Sequence, residues 1–276
     1  MATDEILVER RDALAIVTLN APGRLNAITA SMGEALDSAL ADAGADPDVR
    51  AILITGSGRG FCAGASMDRL EEVMEGPQQL SRSGAQVFDA FSDAPPQYRT
   101  RYTAPLAIPK TVIAAVNGAC AGAGLMLALA CDIRIASTEA RFIASFARMG
   151  LVAESSSAFL LGRIAGHGFA SDMLLSARRV DAAEAHARGL VTRLLDAEGF
   201  TEAAIDQAVA IAGETSPRST RAIKRQLQHA MSNSLTASLD MAQDYVNASL
   251  GWPDLSEGVR AFREKRAPLF PDAPRD

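Results

Sequence analysis

Apolar residues along this chain fall into two rhythms. Two short runs, Ile6–Arg10 and Ala13–Leu19, flank Arg11-Asp12 and predict a β-hairpin. From Ile28 the rhythm changes. Ile28, Met32, Ala35, Leu36, Ala39 and Leu40 recur at helical spacing and predict a helix over Thr29–Ala43. Val49–Thr55, with the apolar run Ala51-Ile-Leu-Ile54 at its centre, reads as a buried strand closed by the loop Gly56-Ser57-Gly58-Arg59-Gly60. Val112–Val116 and Asp132–Ala136 predict further strands, with a buried helix at roughly Gly122–Ala130. Strands alternating with helices predict an α/β fold around a largely parallel sheet, in which strand-strand-helix units are free to recur.

Between Lys110 and Asp132 no charged residue occurs, a length that could cross a bilayer. Asn117-Gly118 in its middle, with Gly122 and Gly124 behind, divides it instead into strand, turn and helix. Met67–Ile108 is the irregular part. It carries Gly76-Pro77, Asp93-Ala94-Pro95-Pro96 and the basic Arg99-Thr100-Arg101. Helices are predicted around Asp68–Met74 and Leu80–Phe91, then a loose loop. The segment reads equally as a lid or pocket wall and as a surface insertion.

The second half is helical. Asp181-Ala-Ala-Glu184 has the form of an N-cap with a carboxylate three residues on, and Ser216-Pro217 that of an N-cap followed by proline in the first turn. Leu235–Leu250 and Leu255–Arg266 predict the last helices. No linker rich in proline and glycine divides the chain. Residues 1–200 are expected to form one α/β core and 201–276 a helical region for packing or oligomerisation.

Composition narrows the partners. The chain has 276 residues, 48% hydrophobic and 22% charged, with a formal net charge of −6. That balance argues against nucleic acid and against an anionic membrane surface. A polyanionic ligand would need local cations and backbone amides. The three cysteines, Cys62, Cys120 and Cys131, are odd in number and sit among apolar neighbours, which suits a reducing, cytoplasmic setting. The first residues, Met-Ala-Thr-Asp-Glu-Ile, lack the basic and apolar regions of a secretory signal. His167, His186 and His229 are scattered without metal-ligand spacing, so no metal is expected.

Two glycine-rich turns carry the candidate chemistry. Gly60-Phe61-Cys62-Ala63-Gly64-Ala65-Ser66 comes after the strand ending at Thr55, and Ala121-Gly122-Ala123-Gly124-Leu125 after the strand ending at Val116. Small residues let backbone N–H groups approach a ligand, and the second turn also opens a helix at the positive end of its dipole. Two such amides on one carbonyl oxygen make an oxyanion hole. Ordinary turn chemistry accounts for either turn taken alone.

The order and spacing of several motifs resemble the enoyl-CoA hydratase/isomerase (crotonase) family. They are Phe61-Cys-Ala-Gly-Ala65, Ile113-Ala-Ala-Val-Asn-Gly118 with Gly122-Ala-Gly124, Cys131-Asp-Ile-Arg-Ile-Ala136, Ser176 to Ala185, Gly189-Leu-Val191, and Glu257 to Arg266. The resemblance covers nearly the whole chain except Met67–Ile108. It implies a crotonase-like fold of repeated ββα units, an acyl-CoA thioester as substrate, and no separate cofactor. It assigns the enolate-binding amides to Ala65 and Ala123, and implies CoA contacts at Arg24, at Ala63, Gly64, Ser66 and Met67, and at Gly122 and Gly124. Phe262 and Lys265 match a C-terminal stretch that reaches a neighbouring subunit's CoA, and a homotrimer or homohexamer is implied. Arg24 is otherwise a solvated loop charge, and Lys265 otherwise pairs with Glu264 or Glu257.

The acid-base positions separate the reactions within that family. Hydratases of the family use two glutamates, and by alignment these positions hold Met126 and Phe146. Glu154, in Gly150-Leu-Val-Ala-Glu154-Ser-Ser-Ser157, resembles the lone glutamate of Δ3,Δ2-enoyl-CoA isomerases. A pocket of Met126, Phe146 and Phe159 would keep water out and raise its pKa. Glu154 also reads as a first-turn carboxylate of a helix over Ser155–Ile164. Asp68 and Glu71 fit an exposed helix face or the pocket, and Asp132 reads as structural. The resemblance thus implies a 3-enoyl-CoA isomerase. A β-oxidation-type 2-enoyl-CoA hydratase working with one carboxylate and a non-catalytic CoA-ester-binding subunit are the alternatives.

Overall fold

The computed structural model describes residues 5–75, 85–154 and 156–272. β1 (Ile6–Arg11) and β2 (Leu14–Leu19) form the hairpin, paired antiparallel from Ile6↔Leu19 to Arg11↔Leu14. After α1 (Ala30–Ala45), a unit of long strand, short strand and helix recurs. It appears as β3 (Ala51–Gly56), β4 (Gly60–Cys62) and α2 (Met67–Glu75). After α3 (Ala104–Ala107) it returns as β5 (Thr111–Val116), β6 (Ala119–Ala121) and α4 (Ala123–Ala130), then as β7 (Ile133–Ser137), β8 (Arg141–Ile143) and α5 (Ser157–Ala165). Then come α6 (His167–Ser176), β9 (Arg179–Asp181), α7 (Ala182–Ala187) and β10 (Arg193–Leu195). The chain continues as α8 (Phe200–Glu214), α9 (Pro217–Ala230), α10 (Leu235–Ser249) and α11 (Pro253–Glu264). Asp181 and Ser216 cap α7 and α9 with their side chains, as the sequence pattern predicts, and Thr29, expected as the first residue of its helix, caps α1 in the same way.

The long strands form one six-stranded sheet, β1-β2-β3-β5-β7-β10, parallel apart from the hairpin. The short strands form a second sheet, β4-β6-β8-β9. Its strands have three residues each, too few for hydrophobic alternation to register in sequence. The main sheet is covered on both faces. Leu14, Ile16, Leu53, Ile113 and Ile135 pack on Phe200, Ala204, Ile205 and Ala208 of α8. The alternate residues Val17, Ile52, Ile54, Val112 and Val116 join α1, α4 and the second sheet in the larger core. Two-sided burial explains why β3 and β5 read as unbroken apolar runs. Among the described residues no helix is long and apolar enough to cross a membrane.

The irregular segment departs from expectation. Residues 85–91 form a 3-10 turn rather than an α-helix, and 80–84 of the predicted helix lie outside the described residues. The stretch around and beyond this turn is docked rather than loose. Phe88 and Phe91 are buried and stacked, with ring centroids 6.3 Å apart. The Phe91 ring occupies a notch at Gly44, where a Cβ would lie 2.5 Å from its Cζ. Arg101 fills a second notch, at Gly33, and donates to both oxygens of the buried Asp37 carboxylate at 2.7–3.1 Å. The two glycines of α1 thus give this segment its seat.

Two buried cations hold the far end of α4. Arg134 donates to the carbonyls of Leu190 at 2.8 Å, Cys131 at 2.6 Å and Ala128 at 3.3 Å, where the helix dipole is negative. Lys224 of α9 donates to Asp132 at 2.7 Å, and that carboxylate also accepts from Val112 N–H, which gives Asp132 its structural role. Arg134→Met leaves three buried carbonyls without these donors. It is expected to lower unfolding free energy by about 3 kcal/mol, read as a shift in urea midpoint at constant m-value.

Candidate active site

The two turns meet face to face. Gly64 and Gly122 have φ values of +116° and +48°, backbone that L side chains avoid. A Cβ on Gly64 would lie 3.5 Å from the Ala121 carbonyl oxygen and 3.9 Å from Ala123 N, and one on Gly122 would lie 3.7 Å from Gly64 Cα. The Ala65 amide is oriented by its neighbours. Ile28 N–H donates to Gly64 O at 2.8 Å and Ser66 N–H donates to Ile28 O at 3.0 Å. In a parallel bridge this makes Ala65 turn its own N–H away from Ile28, and it meets no acceptor among the described residues. Ala123 is the first residue of α4, so its N–H has no partner within the helix. Two free amides therefore border the junction of the turns.

The remaining predicted residues divide. Ala63 N–H is tied to Leu25 O at 3.0 Å, which puts the first turn beside the 21–28 loop. Ser66 is buried, and its hydroxyl accepts from Arg69 N–H at 3.3 Å, so it caps the start of α2. Met67 beside it is exposed. Gly124 serves packing: a Cβ there would overlap the Cys62 carbonyl, so its absence lets α4 lie against β4. Arg24 is not a free loop charge. It pairs with Glu5 at 2.5 Å and donates to Ala27 O at 2.9 Å, and it holds the Glu5 carboxyl below its usual range.

Met126 and Phe146 are both buried, as an apolar lining requires. Phe159 does not join them. It lies on the outer face of α5, 47% exposed, with the Arg163 guanidinium 5.2 Å from its ring centroid. Glu154 precedes the helix rather than opening it, since Ser156 is the N-cap of α5. The Glu154 carbonyl accepts from Ser157 N–H at 3.1 Å and from its hydroxyl at 2.7 Å, while the carboxylate meets no cation or donor among the described residues. Half-buried, it has its pKa raised by desolvation.

At the C-terminus, Phe262 is 87% exposed and borders a groove of about 560 Å³ with Trp252, Leu255, Val259 and Phe270. Lys265 ends α11 with φ +52° and is exposed. It pairs with neither Glu264 nor Glu257, which bind Arg266 and Arg260 instead. These two residues do not meet the turns within one chain. A larger cavity, about 750 Å³, lies between the end of α1 and α9 and contains none of the predicted residues.

Sequence reasoning missed two polar hubs and a phenol. Asn26, fully buried at φ +57°, accepts from Ala21 N–H at 2.7 Å and donates to Ser57 O and Gly60 O at 3.0 and 2.7 Å. Asn117 donates to Gly58 O and Gly60 O. Together they hold the loop that feeds the first turn. Tyr102 lies within electrostatic reach of Glu154 and Cys62. Two asparagines beside glycine-rich loops were a visible signal; a tyrosine in an aperiodic segment was not.

Known proteins share this architecture. The enoyl-CoA hydratase/isomerase family model matches residues 9–273. The chain belongs to the enoyl-CoA hydratase/isomerase family. It is 35% identical over 256 residues to 1,2-epoxyphenylacetyl-CoA isomerase of Escherichia coli K12, covering 92% of this chain and 93% of that one. It is 31% identical to 2,3-dehydroadipyl-CoA hydratase of the same strain, covering 96% and 98%. A crystal structure of an enoyl-CoA hydratase from Polaromonas sp. JS666 superposes with a TM-score of 0.83 at 30% identity, covering 96% and 99%. The crotonase fold and enzymatic character implied by the motifs hold. Relatives of this enoyl-CoA hydratase/isomerase family member carry both isomerase and hydratase names. Gly122→Ala puts a Cβ at a φ of +48° and within 3.3 Å of Ser145 Oγ. It is expected to lower stability by about 1–3 kcal/mol in a denaturant titration.

Proposed function

We propose that this enzyme shifts the double bond of a 3-enoyl-CoA thioester to the 2-position, with Glu154 carrying the proton. The observation that carries this reading is the carboxylate itself: it is half-buried, without an ion-pair partner among the described residues, and has its pKa raised by desolvation. A group so placed is a stronger base once ionised and sits nearer neutral pH, as proton transfer at carbon requires. The apolar, buried Met126 and Phe146 stand at the two hydratase positions and offer no second carboxylate to activate water.

The steps balance with one shuttle. Glu154 takes a proton from C2, and the electron pair left behind delocalises through the thioester carbonyl and the adjoining double bond. Negative charge gathers on the thioester oxygen, where the Ala65 and Ala123 amides receive it. Glu154 then returns the proton at C4, leaving a C2–C3 double bond. CoA contacts at Arg24, at the first turn and, from a neighbouring subunit, at Phe262 and Lys265 complete the proposal. The apolar residues exposed on α9–α11, among them Leu227, Leu235, Leu239, Leu250 and Phe262, support a homotrimer or homohexamer. The three buried thiols, with Cys62 and Cys131 pushed up to about 12, support a reducing, cytoplasmic setting.

Glu154→Gln is expected to lower kcat on 3-hexenoyl-CoA by about 10²–10⁴-fold while CoA-ester binding persists. Retained turnover, followed by appearance of the conjugated 2-enoyl product, would remove the proposal. Only the ionised Glu154 takes the proton, so kcat/KM falls as pH drops through its pKa. That acid limb is expected above the ordinary glutamate value, and a limb at or below it contradicts desolvation of the group. Light scattering is expected to return three or six chain masses.

A further inference from the structure

The second glycine turn has a polar neighbour that the proton shuttle does not use. Strands β6 and β8 pair in parallel with Ala121 opposite Ile143, and the Gly122 N–H donates to Ile143 O at 3.2 Å. That register carries Ser145, the first residue of the 3-10 turn Ser145–Met149, to the flank of Gly122. A Cβ on Gly122 would lie 3.3 Å from Ser145 Oγ and 3.7 Å from Gly64 Cα. The hydroxyl and the first turn therefore border one small space over Gly122.

That space is the one the Ala123 amide faces. Gly122 has a ψ of −115°. At this angle the Cβ direction of an L residue eclipses the next peptide nitrogen. In a trans peptide the N–H lies on the same side as the preceding Cα, so the Ala123 N–H points alongside that direction. An oxygen received by the Ala123 amide thus sits where a Gly122 Cβ would crowd it, and Ser145 Oγ stands beside that position.

The hydroxyl is free to serve such an oxygen. Ser145 is half-buried, and its Oγ has no hydrogen-bond partner among the described residues. Nor is it sealed: the described side-chain polar atoms that are both sealed and unpartnered are Ser57 Oγ and Arg99 Nε. A serine hydroxyl carries one O–H that rotates to meet its acceptor. A donor already in place beside an oxygen that gains negative charge stabilises the charged state more than the ground state.

We propose that Ser145 is a third donor of the oxyanion site. Its hydroxyl hydrogen-bonds the thioester oxygen beside the Ala65 and Ala123 amides, and the bond strengthens as enolate charge builds. This rests on the acyl-CoA reading of the site and adds a catalytic residue to it.

Two measurements on the full chain test this. The first is infrared difference spectroscopy of bound hexanoyl-CoA labelled with carbon-13 at its carbonyl, which needs no turnover. The bound stretch is expected below that of the free thioester. Ser145→Ala is expected to move it part of the way back, and Ser145→Thr, which keeps a hydroxyl, to leave it low. Should the threonine methyl not fit, the alanine comparison decides. The second measurement is turnover of 3-hexenoyl-CoA. Ser145→Ala is expected to lower kcat by about 10²-fold with little change in KM. Its urea midpoint is expected to stay at the wild-type value, because the hydroxyl holds no protein group. A bound stretch that Ser145→Ala leaves unmoved overturns the proposal, and so does an alanine variant with wild-type kcat. A stretch that depends on Ser145 in a chain that shifts no double bond sinks the isomerase reading alone. A double-bond shift whose rate and carbonyl stretch both ignore Ser145→Ala sinks the Ser145 assignment alone.

Discussion

A backbone amide can serve a ligand only if the fold withholds it from every other acceptor, and that constraint organises this molecule. Strand β4 ends at Cys62 and strand β6 at Ala121, so both chain segments leave the second sheet just before the two free amides, at Ala65 and Ala123. The chain then turns through Gly64 and Gly122 at positive φ, which aims the following N–H groups out of the sheet. On one side the bridge from Ile28 consumes the flanking groups of Ala65 and leaves its N–H free. On the other, the first turn of α4 leaves Ala123 free by helix geometry alone. Two different local devices therefore supply the two donors, and the absence of side chains at Gly64 and Gly122 lets the two turns lie close together.

The energetic counterpart is a lining that does not compete. Met126 and Phe146 are buried, and the half-buried Glu154 has no cation among the described residues to stabilise its ionised form. In water such a carboxylate would be a weak base. Partly desolvated, its charged form is disfavoured and its proton affinity rises. In the proposed reaction, oriented amides and a desolvated acid are complementary, because the first would hold charge on oxygen while the second would move a proton at carbon.

The scaffold gives this arrangement its stiffness. Helix α1 is notched at Gly33 and Gly44 to receive Arg101 and the Phe91 ring, which turns an irregular segment into a wall. Arg134 and the Lys224–Asp132 pair fix the distal end of α4, the helix whose near end carries one of the amides. Buried cations of this kind act on many backbone carbonyls at once, so they specify position as well as adding stability.

Hydrophobic rhythm alone determined much of the framework. The hairpin, α1, the buried runs of β3, β5 and β7, helix α4, and the caps at Asp181 and Ser216 were all legible, because each arises from residues a few positions apart. The two glycine turns were legible as turns. Tertiary structure decided the rest. Three-residue strands carry no period, so the second sheet emerges only when β4, β6, β8 and β9 find one another. Phe159 lies outward and Gly124 packs on β4 because of how α5 and α4 are rotated in the fold, which local sequence does not state. The meeting of the turns that carry Ala65 and Ala123 joins residues far apart in the chain. Such proximity is set by packing, since local sequence sets backbone preference while only the collapsed core sets distance.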